Sequence, residues 1–334
     1  MKGHALKIIM MKKIFLIFIF LGFVVAKSQD TTKNSYFPQL RGIVKTKVEY
    51  DLDNDLMRFA VRNARFGVKG KINNYFSYYV QVDLSDEGKI KMLDAYATYE
   101  PLSNFSISLG QMKIPFSTDY IRNPAETFFA NRSFVAKYIN QGLRDIGVVA
   151  AYKTNLIIPI EAFAGLFNGS GNNNPQWKAK PNYNFRLILG DSENGFSIKG
   201  NFYGGDTENE TNLNIWGGEV CYLNKNFLIE SELIYRNWKD SIVHKESGAY
   251  VHTYYKFPIN SKKLKYISPS ARYDLMGENV IKHIDTDERL TVGLNFGFEQ
   301  KLFAAEIRLN YENYFIHTLP IHTDKLTIEF VARF

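Results

Sequence analysis

The chain has 334 residues, 45% hydrophobic and 15% aromatic, with a mean hydropathy of −0.24 and one cysteine. That apolar content excludes a disordered chain, and a lone Cys221 excludes a disulfide scaffold and any multi-cysteine zinc site. Five of the 41 lysines and arginines fall in the first 28 residues, where there is no acid, so the rest of the chain carries 36 bases against 34 acids, a net +2 that disfavours a nucleic-acid partner.

In chain order, Lys12 and Lys13 precede an apolar run from Ile14 to Val25, and Ala26, Lys27 and Ser28 follow it. This is the pattern of a secretory signal peptide, and the run is too short for a spanning helix of about 20 residues. The reading is a leader over residues 1–28 and one domain over 29–334, with no cysteine at the cut to carry a lipid. No later stretch approaches a spanning helix.

From residue 39 the sequence alternates with period two in segments of about ten residues, the signature of transmembrane barrel strands. In the first, Leu40, Gly42, Val44, Thr46, Val48 and Tyr50 share one face, and Arg41, Lys45, Lys47, Glu49 and Asp51 the other. In the last, Leu326, Ile328, Phe330, Ala332 and Phe334 oppose Lys325, Thr327, Glu329 and Arg333. Polar second faces in strand after strand imply a wet interior. The fold read from this is all-β: a transmembrane antiparallel barrel of about sixteen strands.

The connections mostly alternate short and long, the first outer one, near Asp51–Asp55, being an exception. Residues 71–75, 100–104, 152–156, 190–195 and 222–226 are short, whereas 84–91, 115–142, 168–180, 236–247, 276–288 and 314–324 are long. Outer-membrane barrels have short periplasmic turns and longer outer loops, so both termini are placed in the periplasm of a Gram-negative cell. The longest connection, residues 115–142, holds Phe116, Tyr120, Phe128, Phe129 and Phe134 with Arg122, Arg132 and Lys137. It is read as the third outer loop, folded into the lumen.

RNARFGVKG at 62–70, GQMKIPFS at 110–117, NRSF at 131–134, GLRDIGV at 142–148, LFNGSG at 166–171 and ARYD at 271–274 follow in an order that resembles the phosphate-selective porin O/P family. The resemblance implies a sixteen-stranded outer-membrane porin, typically a homotrimer, that passes small anions such as phosphate or polyphosphate. Arg62, Arg65, Lys113, Arg132 and Arg144 fall in the matching stretches. The chain departs from the family in its modest outer loops after residue 171.

An anion path needs cations where the ion sheds water. The inward faces supply Lys45, Lys47, Arg65, Arg186 and Arg272, and the long loop adds Arg122 and Arg132. Lys113, Arg122 and Arg132 are expected to face Lys45, Lys47 and Arg65 across a narrow zone, with Arg186 and Arg272 as further candidates along the path. Arg236 and Arg289 are placed near the wide outer mouth. Inward acids are nearly as numerous, and Arg144–Asp145 and Arg272–Asp274 read as structural pairs.

Catalytic signals are poor. His244, His252, His283, His317 and His322 lack metal-type spacing, and no elbow-like serine motif accompanies them. No enzyme activity and no metal or other cofactor are expected. The leading reading is a passive, anion-preferring channel in contact with outer-membrane lipid. An adhesin or scaffold barrel with an occluded lumen, and a barrel hydrolase, are the alternatives.

Overall fold

Alternating apolar and polar side chains give each segment one face for lipid and one for a polar interior, which a closed antiparallel sheet satisfies without leaving an unpaired edge. The computed structural model describes residues 36–334 except 87–88, 140–143, 156, 209, 241, 301–303 and 317–322. The expected leader, the last residues of the 115–142 connection, His317 and His322 lie outside the described residues. Pro38–Phe334 form one unit.

The strands are β1 (Gln39–Asp51), β2 (Leu56–Lys71), β3 (Phe76–Asp86), β4 (Lys89–Leu102), β5 (Phe105–Lys113) and β6 (Arg144–Asn155). Next come β7 (Pro159–Phe167), β8 (Asn182–Gly190), β9 (Gly195–Gly205), β10 (Thr211–Asn224), β11 (Phe227–Lys239) and β12 (Val243–Tyr255). β13 (Phe257–Pro258) has two residues and continues the line of β12; β14 (Tyr266–Gly277), β15 (Asp287–Gln300), β16 (Ala304–Ile316) and β17 (Lys325–Arg333) follow. Taking β12 and β13 as one stave, sixteen antiparallel staves pair with their neighbours in sequence, and β1 pairs with β17 to close the barrel.

The outer wall is apolar. Val44, Phe59, Val80, Leu109, Ile198, Val251, Leu309 and Phe330 are all exposed on it. Phe76, Tyr99, Tyr152, Phe196, Tyr222, Tyr255, Phe257 and Phe334 ring the barrel near the end with the β2–β3 turn, with Phe76 stacked on Tyr99 at 4.8 Å. Such a girdle marks a membrane interface. The inner wall holds buried charges instead, among them Lys45, Glu219, Glu230, Arg289 and Arg308.

Two of the expected long connections prove to be strand. β3 runs on to Asp86 and β4 begins at Lys89, and β11 runs to Lys239 with β12 beginning at Val243. Polar residues continue these hairpins beyond the apolar band, where period-two hydropathy no longer signals a strand. The connection that begins at residue 114, together with 168–181 and 278–286, remains long at that rim. Residues 259–265 make a longer link at the opposite rim than the alternation implied.

Candidate functional site

Residues 114–139 turn away from the end of β5 and bond to inward-facing side chains of the wall. Within this segment Ser117 adopts φ 61° and caps a single helical turn, α1 (Thr118–Ile121), by accepting from the Tyr120 N–H. Asn123 caps a 3-10 turn at Pro124–Glu126, where Pro124 occupies the position whose N–H would lack a partner. Val135–Ile139 form a π-type turn.

The attachments run round more than half of the wall. Asn184 of β8 donates to the Pro115 carbonyl (2.9 Å), and Lys199 of β9 to Thr118 Oγ1 (2.8 Å). Ser117 Oγ donates to Glu232 of β11 (3.0 Å), and Arg122 to Glu230 of the same strand (2.8 Å). The Phe134 N–H reaches Asp274 of β14 (3.1 Å), and the Ala130 N–H reaches Asn310 of β16 (2.7 Å). Arg308 of β16 donates to the Ala125 carbonyl (2.9 Å), and Lys45 of β1 to the Pro124 carbonyl (3.2 Å). Ile114, Phe116, Phe134, Val135 and Ile139 join a buried cluster with wall residues such as Tyr203, Ile215, Ile234 and Tyr250.

Asp119 is the hub of the segment. It accepts from the Ser133 N–H (3.0 Å) and Oγ (2.6 Å) and lies 3.7 and 3.8 Å from the Arg122 and Arg132 guanidiniums. Burial alone would push its carboxyl up, but Arg132, Arg122 and Arg272 outweigh burial and hold it well below the usual carboxylate range. Arg132 donates to the carbonyls of Asp119 and Arg122. Burial lowers its affinity for the proton, opposed by Asp119 and reinforced by the like charges of Arg65 and Arg122.

Apart from Glu232, which among the described residues has only the Ser117 hydroxyl, most buried acids along this attached arc are matched by bases. Arg186 and Lys199 each stand 3.3 Å from Glu219. Arg272 (2.7 Å) and Arg289 (2.9 Å) share Asp274, and Arg308 pairs with Glu329 (3.1 Å) and Glu306 (2.6 Å). Lys45 pairs with Glu329 (3.1 Å) and Lys47 with Glu49 (2.6 Å). Buried pairs of this kind contribute little net attraction, but losing one partner strands the other charge.

On the arc from β2 to β6 the balance differs. Arg65 pairs with Asp83 (2.9 Å), and Arg144 grips Asp94 with two hydrogen bonds (2.9 and 2.8 Å). Lys113 donates to the carbonyls of Tyr120 (3.0 Å) and Ile121 (3.1 Å) and lies within electrostatic reach of Arg65, Arg132 and Arg144. Among the described residues Lys113, Arg41, Arg62 and Lys69 have no carboxylate partner. Tyr79 and Tyr96 meet edge to face at 5.8 Å on the same wall.

The structure therefore brings Arg65, Lys113, Arg132 and Arg144 together. Arg122 and Arg186 lie towards β10 and β11, and Lys47 is tied up by Glu49. Arg62 is exposed beside the bulge where the β1–β2 register shifts, between Lys45 and Thr46. Arg272–Asp274 is a pair; Arg144–Asp145 is not, because Asp145 accepts from the backbone of Ile146 and Gly169 while Arg144 turns to Asp94. Arg289 is not at a wide mouth but donates to the Arg132 carbonyl (2.9 Å) and to Asp274. Lys45, Lys47 and Arg65 do not form an unopposed cluster, since β17, β1 and β3 each supply an acid. The loop anchors Asp119, Asn184, Asn310 and Glu312, the last accepting from Asn131 (3.1 Å), carry no sequence signature beyond the inward phase of the last three.

Residues 44–195 match the family model for phosphate-selective porin O and P. No curated protein matches the chain significantly. Among solved structures, OmpF of Salmonella typhi in complex with daunomycin aligns at 12% identity, covering 91% of this chain and 99% of that one, with a TM-score of 0.64. An anion-selective porin from Comamonas acidovorans aligns at 11% identity over 89% and 98%, with a TM-score of 0.62. The trimer form of OmpT of Vibrio cholerae aligns at 12% identity over 90% and 99%, with a TM-score of 0.60. At such identities these similarities concern the fold alone.

Proposed function

We propose that this chain, whose residues 44–195 match the phosphate-selective porin O and P family, forms an outer-membrane diffusion channel whose lumen prefers small anions, phosphate and polyphosphate among them. One observation carries this reading: four cations that have no carboxylate partner among the described residues, Lys113, Arg41, Arg62 and Lys69, sit on β5, β1 and β2, beside the arc that the inserted segment leaves clear. Along the arc from β8 to β1 most buried charges are paired, as in Arg186–Glu219, Arg289–Asp274 and Arg308–Glu329. An anion crossing this side meets Arg65, Arg132, Arg144 and Lys113 where it must shed water, and fixed cations replace part of its hydration. Arginine adds a planar fork suited to phosphate or carboxylate oxygens.

In this reading residues 1–28 are removed on export. The rim with residues 114–139 and 168–181 faces outward, both termini are periplasmic, and three copies assemble. Purified protein in planar bilayers tests the proposal. Stepwise ohmic conductance with a reversal potential on the anion side under a salt gradient is expected. A closed barrel without conductance would favour the scaffold alternative, and a cation-side potential would refute anion preference.

A further inference from the structure

We propose that the lumen holds a subsite for a planar organic monocarboxylate between Arg41 and Tyr79, a deepening of the anion reading above that rests on the same path. A cavity of about 380 Å3 is bounded by Arg41, Tyr79, Gln81, Asn123, Glu126 and Arg333. That volume lies within the range of small-molecule sites, about 300–1,000 Å3, and far exceeds what an inorganic anion needs.

Each wall has a distinct chemistry. The Arg41 guanidinium makes no hydrogen bond or ion pair with the described residues, and its Nε is buried without a partner. It is therefore the uncommitted cation of the cavity, and its fork matches one carboxylate in two parallel hydrogen bonds. Arg333 already donates to Glu126 at 2.8 Å, so that pair adds no net charge, and the Glu126 carboxylate repels a second negative charge on the ligand. Tyr79 supplies an aromatic surface, held in place edge to face by Tyr96. Aromatic rings favour offset or edge-to-face partners. Asn123 spends its side-chain oxygen on the Ala125 N–H (3.0 Å), which leaves its amide nitrogen for a ligand oxygen. One cation, one ring and a neutral amide together recognise a ring-bearing monoanion better than a compact dianion.

Benzoate and acetate, titrated calorimetrically into the detergent-solubilised full-length protein, test the subsite. Benzoate should bind about tenfold more tightly than acetate, the gain of one ring–ring contact plus its burial. Arg41→Gln should weaken benzoate about tenfold, as loss of a charge-assisted pair does. Tyr79→Leu should weaken it several-fold while Tyr79→Phe retains it, and Arg236→Gln at the other rim should change nothing. Excess inorganic phosphate should fail to displace benzoate from the unmodified protein, a readout that needs no variant to fold. Benzoate binding no tighter than acetate, binding unchanged by Tyr79→Leu in protein with normal heat-modifiable migration, or ready displacement by phosphate would each overturn the subsite. Because binding is read at equilibrium, a channel without anion preference would refute the functional reading and leave this measurement to stand by itself.

Discussion

Arg65→Gln is the sharpest test of the charge asymmetry. Asp83 keeps its place without the arginine, since it also accepts from the Ser85 hydroxyl (2.5 Å) and N–H (3.1 Å), so the change removes one charge and little structure. An ion passing about 6 Å away in a water-like medium feels one unit charge by about 0.7 kcal/mol. Screening over a length of ~10 Å at 0.1 M salt reduces this to about 0.4 kcal/mol. The barrier rises for the anion and falls for the cation, so the anion-to-cation permeability ratio should drop about fourfold, at 1.36 kcal/mol per tenfold. Arg236 is the control. It lies six residues along β11 from Glu230, about 20 Å at strand rise, and pairs with Glu210 at 2.5 Å. Two screening lengths leave Arg236→Gln almost no effect. Reversal potentials across a tenfold KCl gradient centred near 0.1 M measure both, with conductance staying within the same order. An unchanged potential for Arg65→Gln, or equal shifts for the two variants, would refute the reasoning. So would a shift that persists in full at 1 M salt, where screening acts within about 3 Å.

Asp119→Asn should loosen the inserted segment by about 3 kcal/mol or more, the cost of stranding buried charges, and appear as excess single-channel current noise. Because the Asp119 carboxyl is held below its ordinary range, its contribution is complete above about pH 4 and is lost only as pH falls through the lowered value; noise that already rises at pH 5 would contradict this. Phe334→Ala should reduce the heat-modifiable form recovered from the outer membrane, since the backbone of Phe334 exchanges two hydrogen bonds with Gly42 (2.6 and 3.0 Å) and its ring covers that glycine so closely that a Cβ would collide with it. An epitope at Gly171 should be reachable on intact cells and one at Asn194 only after the outer membrane is permeabilised; the reverse pattern would invert the proposed orientation.

How far the sequence is legible here follows from which forces act locally. The faces of β1 and β17 could be read residue by residue, because lipid on one side and a polar lumen on the other impose opposite demands on successive side chains. Where lipid stops, that contrast stops, and the ends of the hairpins β3–β4 and β11–β12 accordingly read as loops in the sequence. Charge partners were illegible for a different reason. Lys45 finds Glu329 from the far end of the chain only because β1 and β17 close the barrel, placing Lys47 opposite Glu329 and Lys45 opposite Val331. A sequence displays the bases and acids of a lumen, but register decides which cancel. Arg144 illustrates the point: its neighbour in sequence, Asp145, is taken by the backbone of the next connection, while Asp94 on β4 reaches across β5 to pair with it. The same logic explains why near-equality of inward charges says little about selectivity. Had the acids been spread evenly, the lumen would be neutral everywhere. Instead the inserted segment gathers Glu219, Glu230, Glu232, Asp274 and Glu312 into its own attachment, and leaves Lys113, Arg41, Arg62 and Lys69 without acids. The anchoring of the loop and the proposed preference for anions are in this sense one arrangement, and a variant that frees an anchoring acid should weaken both together.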